Sequence, residues 1–312
     1  MFNKPYNQTK LIGFYEEFNL LKNLFRDKNK SNKMLFTGIK GIGKSTLAYH
    51  LINYIFSFKE NYIYDDKNNI INIKNRSYNL VSNNSHPNLF IINIKENKSF
   101  IDISQIREMN VFSNKSSFNN DTKVVLIDNV ELLNKSSSNS LLKILEDENP
   151  KLLFILIHNS RKKILETIKS RCLKFNFKLN EKSKNVLLNM FIKNNKLLSL
   201  NENFITHYSS PGELINFYNF CINNKIDYTN CSIELFLKNL LNNKTLFNDP
   251  YIKDNISNFI ELYFYKNFLK NKNNLKFNDL RNVIIRKINL FKKFNLDIES
   301  LLLDFNNVLV NE

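Results

Sequence analysis

Residues 36–46, FTGIKGIGKST, combine glycines, a lysine and a serine at the spacing of a phosphate-binding loop. Glycines let the backbone curl so that N–H groups can point at phosphate oxygens, and a helix that follows adds its positive N-terminal end. Lys44 can reach the β- and γ-phosphates, and the Ser45 hydroxyl can ligate Mg²⁺. Three of the chain's five glycines lie here, which argues against a chance turn. The residues predicted to hold ATP or ADP with Mg²⁺ are Gly38, Ile39, Lys40, Gly41, Ile42, Gly43, Lys44, Ser45 and Thr46.

A carboxylate that could complete the metal site follows an apolar segment downstream. KVVLID at 123–128 predicts a strand that ends in Asp128. An acid at that point can hold the magnesium of a bound nucleotide through water. We therefore predict that Ser45 and Asp128 are the protein groups that face the metal.

The residues after Asp128 leave the general-base role unfilled. Asn129 comes next in the chain, and an amide cannot accept the proton of an attacking water. Glu131 is an alternative base. Its different offset from Asp128 predicts that it points elsewhere, which favours a solvated acid.

A second polar strand end offers a contact to the γ-phosphate. KLLFILIHN at 151–159 predicts an apolar strand that ends in Asn159. The amide of Asn159 could sense the γ-phosphate or the attacking water. His158 precedes it and competes for the same assignment.

The elements around these residues predict an α/β fold. KMLFTG at 33–38 predicts a buried strand that leads into the glycine loop, and apolar residues at helical spacing predict a helix after Lys44. Strands alternate with helices as far as CLKFNFKL at 172–179, which predicts a parallel, doubly wound sheet with its ligand at the carboxyl ends of the strands. Beyond that point only helical periodicity is clear. The predicted domains are residues 1–179, 180–228 and 229–312.

The composition indicates which partners and which cell compartment suit the chain. A net charge of +16 indicates a nucleic-acid partner, although codons rich in A and T would raise the lysine content in the same way. Three cysteines without a Cys-x-x-Cys pair fit a reducing cytoplasm and predict neither disulfides nor zinc. No apolar leader opens the chain, and apolar runs such as 152–157 are too short to span a membrane.

Two longer segments make a family resemblance specific. IDNVELLNKSSSNSLLKILEDENP at 127–150 and TIKSRCLKF at 167–175 resemble the clamp-loader ATPases of the AAA+ class. Residues 139–146 match the family signature Asn-Ala-Leu-Leu-Lys-x-Leu-Glu apart from Ser140, and residues 170–172 match its Ser-Arg-Cys motif. SHPNLFII, ISQIRE and SSPGEL resemble the delta-prime subunits of bacterial DNA polymerase III in particular.

This resemblance implies an AAA+ module, a small helical lid at 180–228 and an all-α collar at 229–312. It implies a hetero-pentameric ring with other loader subunits, which opens a sliding clamp and sets it on primed DNA. It also implies that Arg171 is an arginine finger for a neighbouring subunit, since a planar guanidinium suits the equatorial oxygens of a transferring phosphoryl group.

Three departures from the family bear on turnover. The phosphate loop is intact, although some relatives have lost it, and no cysteine stands where many relatives carry a zinc module. Glu213 replaces the arginine expected after Gly212, and a carboxylate there would repel phosphate. We predict a chain that binds ATP or ADP and hydrolyses it poorly. The alternative is an active AAA+ motor subunit; a nucleotide kinase would need clustered arginines that the sequence lacks.

Overall fold

The computed structural model describes residues 4–27, 31–95, 98–195, 204, 210–227, 229, 231–243, 245–246, 249–270, 275–294, 303 and 305. The chain forms two compact units. The first comprises residues 1–196 together with 210–213, and the second comprises residues 197–209 and 214–312. The predicted three-part division at 179 and 228 stays a prediction.

In the residues that the structure describes, the first unit contains five strands, with helices between, before and after them. Its strands are β1 (Lys33–Gly38), β2 (Leu89–Ile92), β3 (Lys123–Ile127), β4 (Leu152–Asn159) and β5 (Leu173–Asn176). Its helices are α1 (Tyr15–Arg26), α2 (Lys44–Ser57), α3 (Arg76–Ser82), α4 (Ile103–Asn114), α5 (Lys135–Glu146), α6 (Glu166–Ser170) and α7 (Glu181–Asn195).

All five strands are parallel and lie in the order β2-β3-β4-β1-β5. The register pairs Gly38, the last residue of β1, with Asn159, the last residue of β4. Parallel strands place their carboxyl ends at one edge of the sheet, so the glycine loop and Asn159 meet there. The predicted doubly wound parallel sheet is confirmed.

Alternate residues of the central strands face two separate cores. Val124 and Leu126 of β3 pack on one face of the sheet, in the core formed with α1, α2 and α3. Val125 and Ile127 pack on the other face, with α4, α5 and α6. Both faces are covered, because a parallel sheet connected by helices buries each face against them. This burial explains the unbroken apolar runs in the sequence.

Helix α5 begins earlier than its signature suggested. Its N-cap is Asn134, whose side chain accepts a hydrogen bond from the backbone N–H of Ser137. A capping side chain satisfies one of the free N–H groups of the first turn. The helix ends at Glu146, before Pro150. This extra turn positions Ser137, whose hydroxyl donates to the carbonyl of Ile101 at 2.8 Å.

The second unit is helical where it is described. Its helices are α8 (Pro211–Asn223), which starts in the 210–213 segment, α9 (Ile233–Asn242), α10 (Pro250–Lys270) and α11 (Leu275–Phe294). Aromatic rings form its core: the Phe236 ring centroid lies 5.5 Å from that of Phe217 and 5.0 Å from that of Phe259. Among the described helices, none has both the length and the apolar character needed to cross a bilayer.

The three cysteines are buried and carry free thiols. Burial raises the pKa of the thiols of Cys172, Cys221 and Cys231 above the usual value. A thiol with a raised pKa stays protonated at neutral pH and is a poor nucleophile. These residues therefore act as small packing groups.

A buried histidine in α2 makes stability depend on pH. His50 is fully buried; Tyr64 Oη lies 2.8 Å from its Nδ1 and Gln8 O lies 3.0 Å from its Nε2. The carbonyl can only accept, so Nε2 donates and Nδ1 accepts from the tyrosine hydroxyl. Burial lowers the pKa of His50 to about 4, below its usual 6.5.

Acidification is expected to destabilise the first unit through His50. Between the two pKa values the unfolded chain binds the proton and the folded chain does not, so the free energy of unfolding falls as pH falls from 6.5 toward 4. The His50 contribution amounts to about 2 kcal/mol between pH 7.5 and 5. Urea unfolding of the wild type and of His50→Gln at both pH values measures it. The same pH dependence in both proteins would contradict this assignment.

Candidate functional site

The glycine loop that joins β1 to α2 has the backbone shape its sequence predicts. Gly41 and Gly43 have φ values of +81° and +101°, a region that side chains with a Cβ rarely adopt. A Cβ on Gly41 would also lie 2.4 Å from the hydroxyl oxygen of Ser210. The loop therefore needs glycine for its curl and for the close approach of the 210–213 segment.

Lys44 is buried inside the loop that it follows. Its ammonium donates to the carbonyls of Gly38 at 2.8 Å and of Ile39 at 2.7 Å. Burial lowers the pKa of Lys44 to about 8, and nearby carboxylates partly oppose this effect. In order of strength these are Asp128, Glu131 and Glu213. The cation and three acids thus share one small region of the molecule.

The two residues predicted to face the metal lie together. The Ser45 hydroxyl donates to Oδ2 of Asp128 at 3.0 Å. Burial raises the pKa of the Asp128 carboxyl, although Ser45 and Lys44 act against the shift. A half-buried carboxylate next to a hydroxyl is a set of hard oxygen donors that suits Mg²⁺, which keeps several waters and takes its other ligands from phosphate. The residues present therefore fit a nucleotide-bound magnesium ion.

At the end of β4 the structure distinguishes His158 from Asn159, the two candidates for the γ-phosphate contact. His158 is buried, with Nε2 2.8 Å from the carbonyl oxygen of Lys162 and Nδ1 3.5 Å from the hydroxyl oxygen of Thr37. Burial lowers its pKa. The Lys162 carbonyl therefore occupies Nε2 of His158, and Nδ1 faces Thr37 of the neighbouring strand. Asn159 stays the predicted sensor.

Glu131 lies closer to the site than its sequence position suggested. Asn129 adopts a left-handed conformation with φ of +60°, and a 3₁₀ turn over Val130–Leu132 follows. This turn carries the Glu131 side chain across to β4, where Oε2 accepts from the backbone N–H of Asn159 at 3.1 Å. The expectation of a solvated acid pointing away is replaced by a carboxylate that acts electrostatically on Lys44. No local sequence signal indicates this turn.

Glu213 has a structural role that the sequence did not reveal. Its Oε2 accepts from the Ser210 N–H at 3.1 Å, and the Ser210 hydroxyl oxygen accepts from the Glu213 N–H at 3.2 Å. This reciprocal pair is a capping box at the start of α8. The N–H of Gly212 donates to the carbonyl of Gly41 at 2.9 Å, so the segment rests on the phosphate loop.

Arg161 gives Glu213 a partner of opposite charge. Nη1 of Arg161 lies 3.4 Å from Oε1 of Glu213. Arg161 follows β4 closely, where the N–H of Ser160 donates to the carbonyl of Gly38 at 3.1 Å. The repulsion expected between Glu213 and phosphate is therefore reduced by a guanidinium at the same edge of the sheet.

Arg171 lies at the other edge of the sheet from the phosphate loop. It stands between α6 and β5, and the first residue of β5 pairs with Met34 near the start of β1. Gly38 lies four positions beyond Met34 along β1, a distance of about 13 Å. Nη2 of Arg171 lies 2.6 Å from Oε1 of Glu146, and Nη1 donates to the carbonyl of Thr167 at 3.1 Å. Arg171 cannot serve the loop of its own chain from this position.

The sheet order, the glycine loop and the acid after β3 define a P-loop nucleotide-binding fold of the AAA+ class. Residues 15–181, more than half of the chain, match the family described as DNA polymerase III, delta subunit. The chain belongs to this family, and the predicted clamp-loader type of AAA+ subunit is confirmed. No curated protein sequence matches the chain significantly.

Three solved structures are similar to this chain at low sequence identity, and one of them supports a shared fold. A DNA polymerase III gamma subunit-related protein of Thermotoga maritima superposes with a TM-score of 0.53 and 16% identity, over 92% of this chain and 97% of that chain. A Walker-type ATPase of Pyrococcus abyssi gives a TM-score of 0.39 with 14% identity, over 77% of each chain. The RuvB Holliday junction branch migration motor of Thermotoga maritima gives 0.41 with 13% identity, over 83% and 81%. Only the first TM-score is high enough to support a shared fold.

Proposed function

We propose that this chain is a delta-prime subunit of a DNA polymerase III clamp loader, acting in DNA replication in the cytoplasm. It binds ATP or ADP with Mg²⁺ and hydrolyses it poorly. It serves the ring as a stator that lends Arg171 to a neighbouring subunit. The position of Arg171 carries this proposal: the residue lies at the opposite end of the strands from its own phosphate loop, is about one-third exposed and pairs with Glu146.

The loop geometry supports nucleotide binding. The backbone of 38–43 would surround the β- and γ-phosphates, and Lys44 would exchange its contacts with the Gly38 and Ile39 carbonyls for phosphate oxygens. Ser45 and Asp128 would hold the magnesium ion directly and through water. The magnesium supplies charge neutralisation at the phosphates when it is bound.

The residues around the loop support slow turnover. Asn129 cannot take a proton from water, so the position after Asp128 supplies no general base. Glu213 brings a negative charge toward the phosphates. Its ion pair with Arg161 weakens the repulsion of phosphate but does not supply the attraction of the arginine expected at position 213. Both features weaken transition-state stabilisation more than nucleotide binding.

One observation favours the alternative, an active motor subunit. The carboxylate of Glu131 contacts the backbone of Asn159 at the edge of the sheet that holds the phosphate loop. A carboxylate there could accept a proton from an attacking water in place of Asn129. Under this alternative, Glu131→Gln would abolish ATP hydrolysis by the isolated chain.

Partners and domains complete the proposal. Residues 180–228 would act as the lid and residues 229–312 as the collar through which the chain joins other subunits in a hetero-pentameric ring. The ring would act on a sliding clamp and primed DNA. The arginine finger, delta-prime identity and ring composition rest on the family resemblance and on the surface position of Arg171.

The isolated chain is expected to hydrolyse ATP at about the background rate of Lys44→Ala, with or without primed DNA. Restoring a base with Asn129→Glu is expected to raise the rate by up to about 10²-fold, the lower end for general-base catalysis, because Glu213 still opposes phosphate charge. Steady-state phosphate release from the wild type, Lys44→Ala, Asn129→Glu and Glu131→Gln measures this. Robust turnover by the wild type that is lost in both Lys44→Ala and Glu131→Gln would establish the motor alternative.

A further inference from the structure

A cleft of about 930 Å³ lies at the end of the sheet opposite the phosphate loop. It is lined by the end of α2 and the residues after it, the start of α3, and the segments that lead into β2 and β3. Helix α2 runs from the phosphate loop to this cleft, and its 14 residues span about 21 Å. None of the residues predicted to hold nucleotide lines the cleft, so it is a separate feature.

Flat aromatic surfaces line this cleft. The rings of Phe56 and His86 stack with centroids 3.9 Å apart and an interplanar angle of 6°. Tyr62 and Phe118 also line the cleft and are 47% and 56% exposed. Burial lowers the pKa of His86 to about 4, so its ring is uncharged at neutral pH. The cleft thus offers neutral π-faces to a planar ligand.

The acids of the cleft are already engaged within the protein. Asp121 forms an ion pair with Lys59 at 2.5 Å. Both carboxylate oxygens of Glu60 bind Ser77, one accepting from its hydroxyl at 2.6 Å and the other from its N–H at 3.2 Å. These contacts reduce the negative potential that the acids would otherwise present to an anionic ligand.

The remaining charges of the cleft are cations. Lys74 and Arg76 are exposed and line its rim. The Lys74 ammonium lies 6.0 Å from the centroid of the Tyr62 ring. Within the part of the chain that the structure describes, neither cation has a carboxylate within ion-pair distance. A planar group on Tyr62 would therefore have a cation beside it.

We propose that this cleft binds single-stranded nucleic acid, with bases stacked on Tyr62 and Phe118 and phosphates paired with Lys74 and Arg76. Stacking platforms beside cations are the chemistry by which proteins hold single strands without sequence preference, because every base has a π-face. The volume suits a ligand of one or two nucleotides, and the net charge of +16 favours a polyanion. Under this proposal, the basic charge of the chain serves a nucleic-acid contact outside the proposed ATP site.

Binding of a labelled oligothymidylate of about 15 nucleotides to the full chain, followed by fluorescence anisotropy at several salt concentrations, tests the proposal. Lys74→Glu combined with Arg76→Glu is expected to weaken binding by about tenfold or more. The slope of log affinity against log salt concentration should be less steep by about 1.4, because each phosphate contact in a single strand contributes about 0.7 to this slope. The matched control is Lys253→Glu combined with Arg107→Glu, which changes the same charges at exposed sites outside the cleft. It should leave affinity and salt dependence nearly unchanged.

Tyr62→Ala separates stacking from charge. It is expected to weaken binding by about fivefold or more without changing the salt dependence, because it removes a ring and no cation. Tyr62→Phe should bind like the wild type. Lys44→Ala should also bind the oligonucleotide normally. A failure of ATP binding at the phosphate loop can therefore be distinguished from a failure of oligonucleotide binding at the cleft.

Three outcomes would overturn the proposal. Equal losses in the two charge-reversal pairs would show binding by general charge. Failure of both oligothymidylate and oligouridylate to bind would exclude a single-strand site. If the cleft variants blocked assembly with other subunits while oligonucleotide binding was unchanged, the cleft would be a protein-docking surface.

Discussion

Arg171→Ala is expected to remove most of the ATP hydrolysis at one neighbouring site of an assembled clamp loader while the ring still forms. Arginine fingers contribute about 10³ to 10⁵ in rate where the guanidinium stabilises the charge of the transferring phosphoryl group. The total rate should fall only by the share of that one site. The fold should survive, since the Arg171 side chain is about one-third exposed and bonds only Glu146 and Thr167 in the described structure.

The decisive measurement uses a loader in which the other ATP sites are inactivated, so that hydrolysis reports the affected site alone. Assembly is checked by gel filtration, and ATPase activity is measured with clamp and primed DNA. Arg171→Lys should be nearly as impaired as Arg171→Ala, because a point charge does not reproduce the planar fork. Arg107→Ala, an exposed arginine on α4, is the matched control. An Arg171→Ala loader that hydrolyses ATP and loads clamps at the wild-type rate would make Arg171 a surface residue without a catalytic role.

Glu146 offers a second test of how Arg171 is held. Its carboxylate fixes the guanidinium at 2.6 Å in the isolated chain. Glu146→Gln would keep a weaker, uncharged acceptor, so we expect a smaller loss at the neighbouring site than with Arg171→Ala. This ordering would distinguish a finger that is positioned by α5 from one that is positioned only by its neighbour.

Lys44→Ala is expected to weaken ATP and ADP binding by about 10- to 100-fold. The ammonium is the buried cation of the loop, and a hydrogen bond to a charged group contributes about 1.5–3 kcal/mol. Titration of a fluorescent ATP analogue with Mg²⁺ measures the loss. Lys40→Ala is the matched control, because Lys40 is exposed in the same loop and can contribute its backbone N–H after substitution. Equal affinity of Lys44→Ala and wild type would exclude the loop as the nucleotide site.

The pH dependence of binding provides an independent check on Lys44. Its pKa is about 8 in the free chain, so an increasing fraction of the amine is neutral above that pH. Phosphate favours the ammonium form, and binding must then take up a proton. Affinity should fall by about tenfold between pH 7 and 9 in the wild type and in Lys40→Ala. Lys44→Ala should show no such fall.

Some features of the candidate site were predictable because they depend on neighbours in the chain. The glycines at 38–43, Lys44 and Ser45 form one continuous segment, and local backbone chemistry dictates its curl. Asp128 was recognisable because an acid that ends an apolar strand must emerge at an edge of the sheet. The α/β class likewise followed from alternating patterns, each of which spans a single element.

Other features required contacts between distant segments. The direction of Glu131 depends on the left-handed conformation of Asn129 and on an N–H supplied by β4. The role of His158 depends on Thr37 in the neighbouring strand. Glu213 could be recognised as an unexpected acid, but its partner Arg161 lies 52 positions away in the chain. No local pattern encodes such pairings.

By itself, the sequence determined that the chain carries a phosphate loop, an apolar strand that ends in an acid and the clamp-loader signature. Each of these is a contiguous run of residue types. Only the tertiary structure decided that Arg171 lies at the opposite edge of the sheet from Gly38, because the parallel pairing of β1 with β5 sets which strand ends coincide. The same holds for the aromatic cleft, where residues from the end of α2, the start of α3 and the segments that lead into β2 and β3 converge. Their side chains meet through packing of whole elements, which no single stretch of sequence specifies.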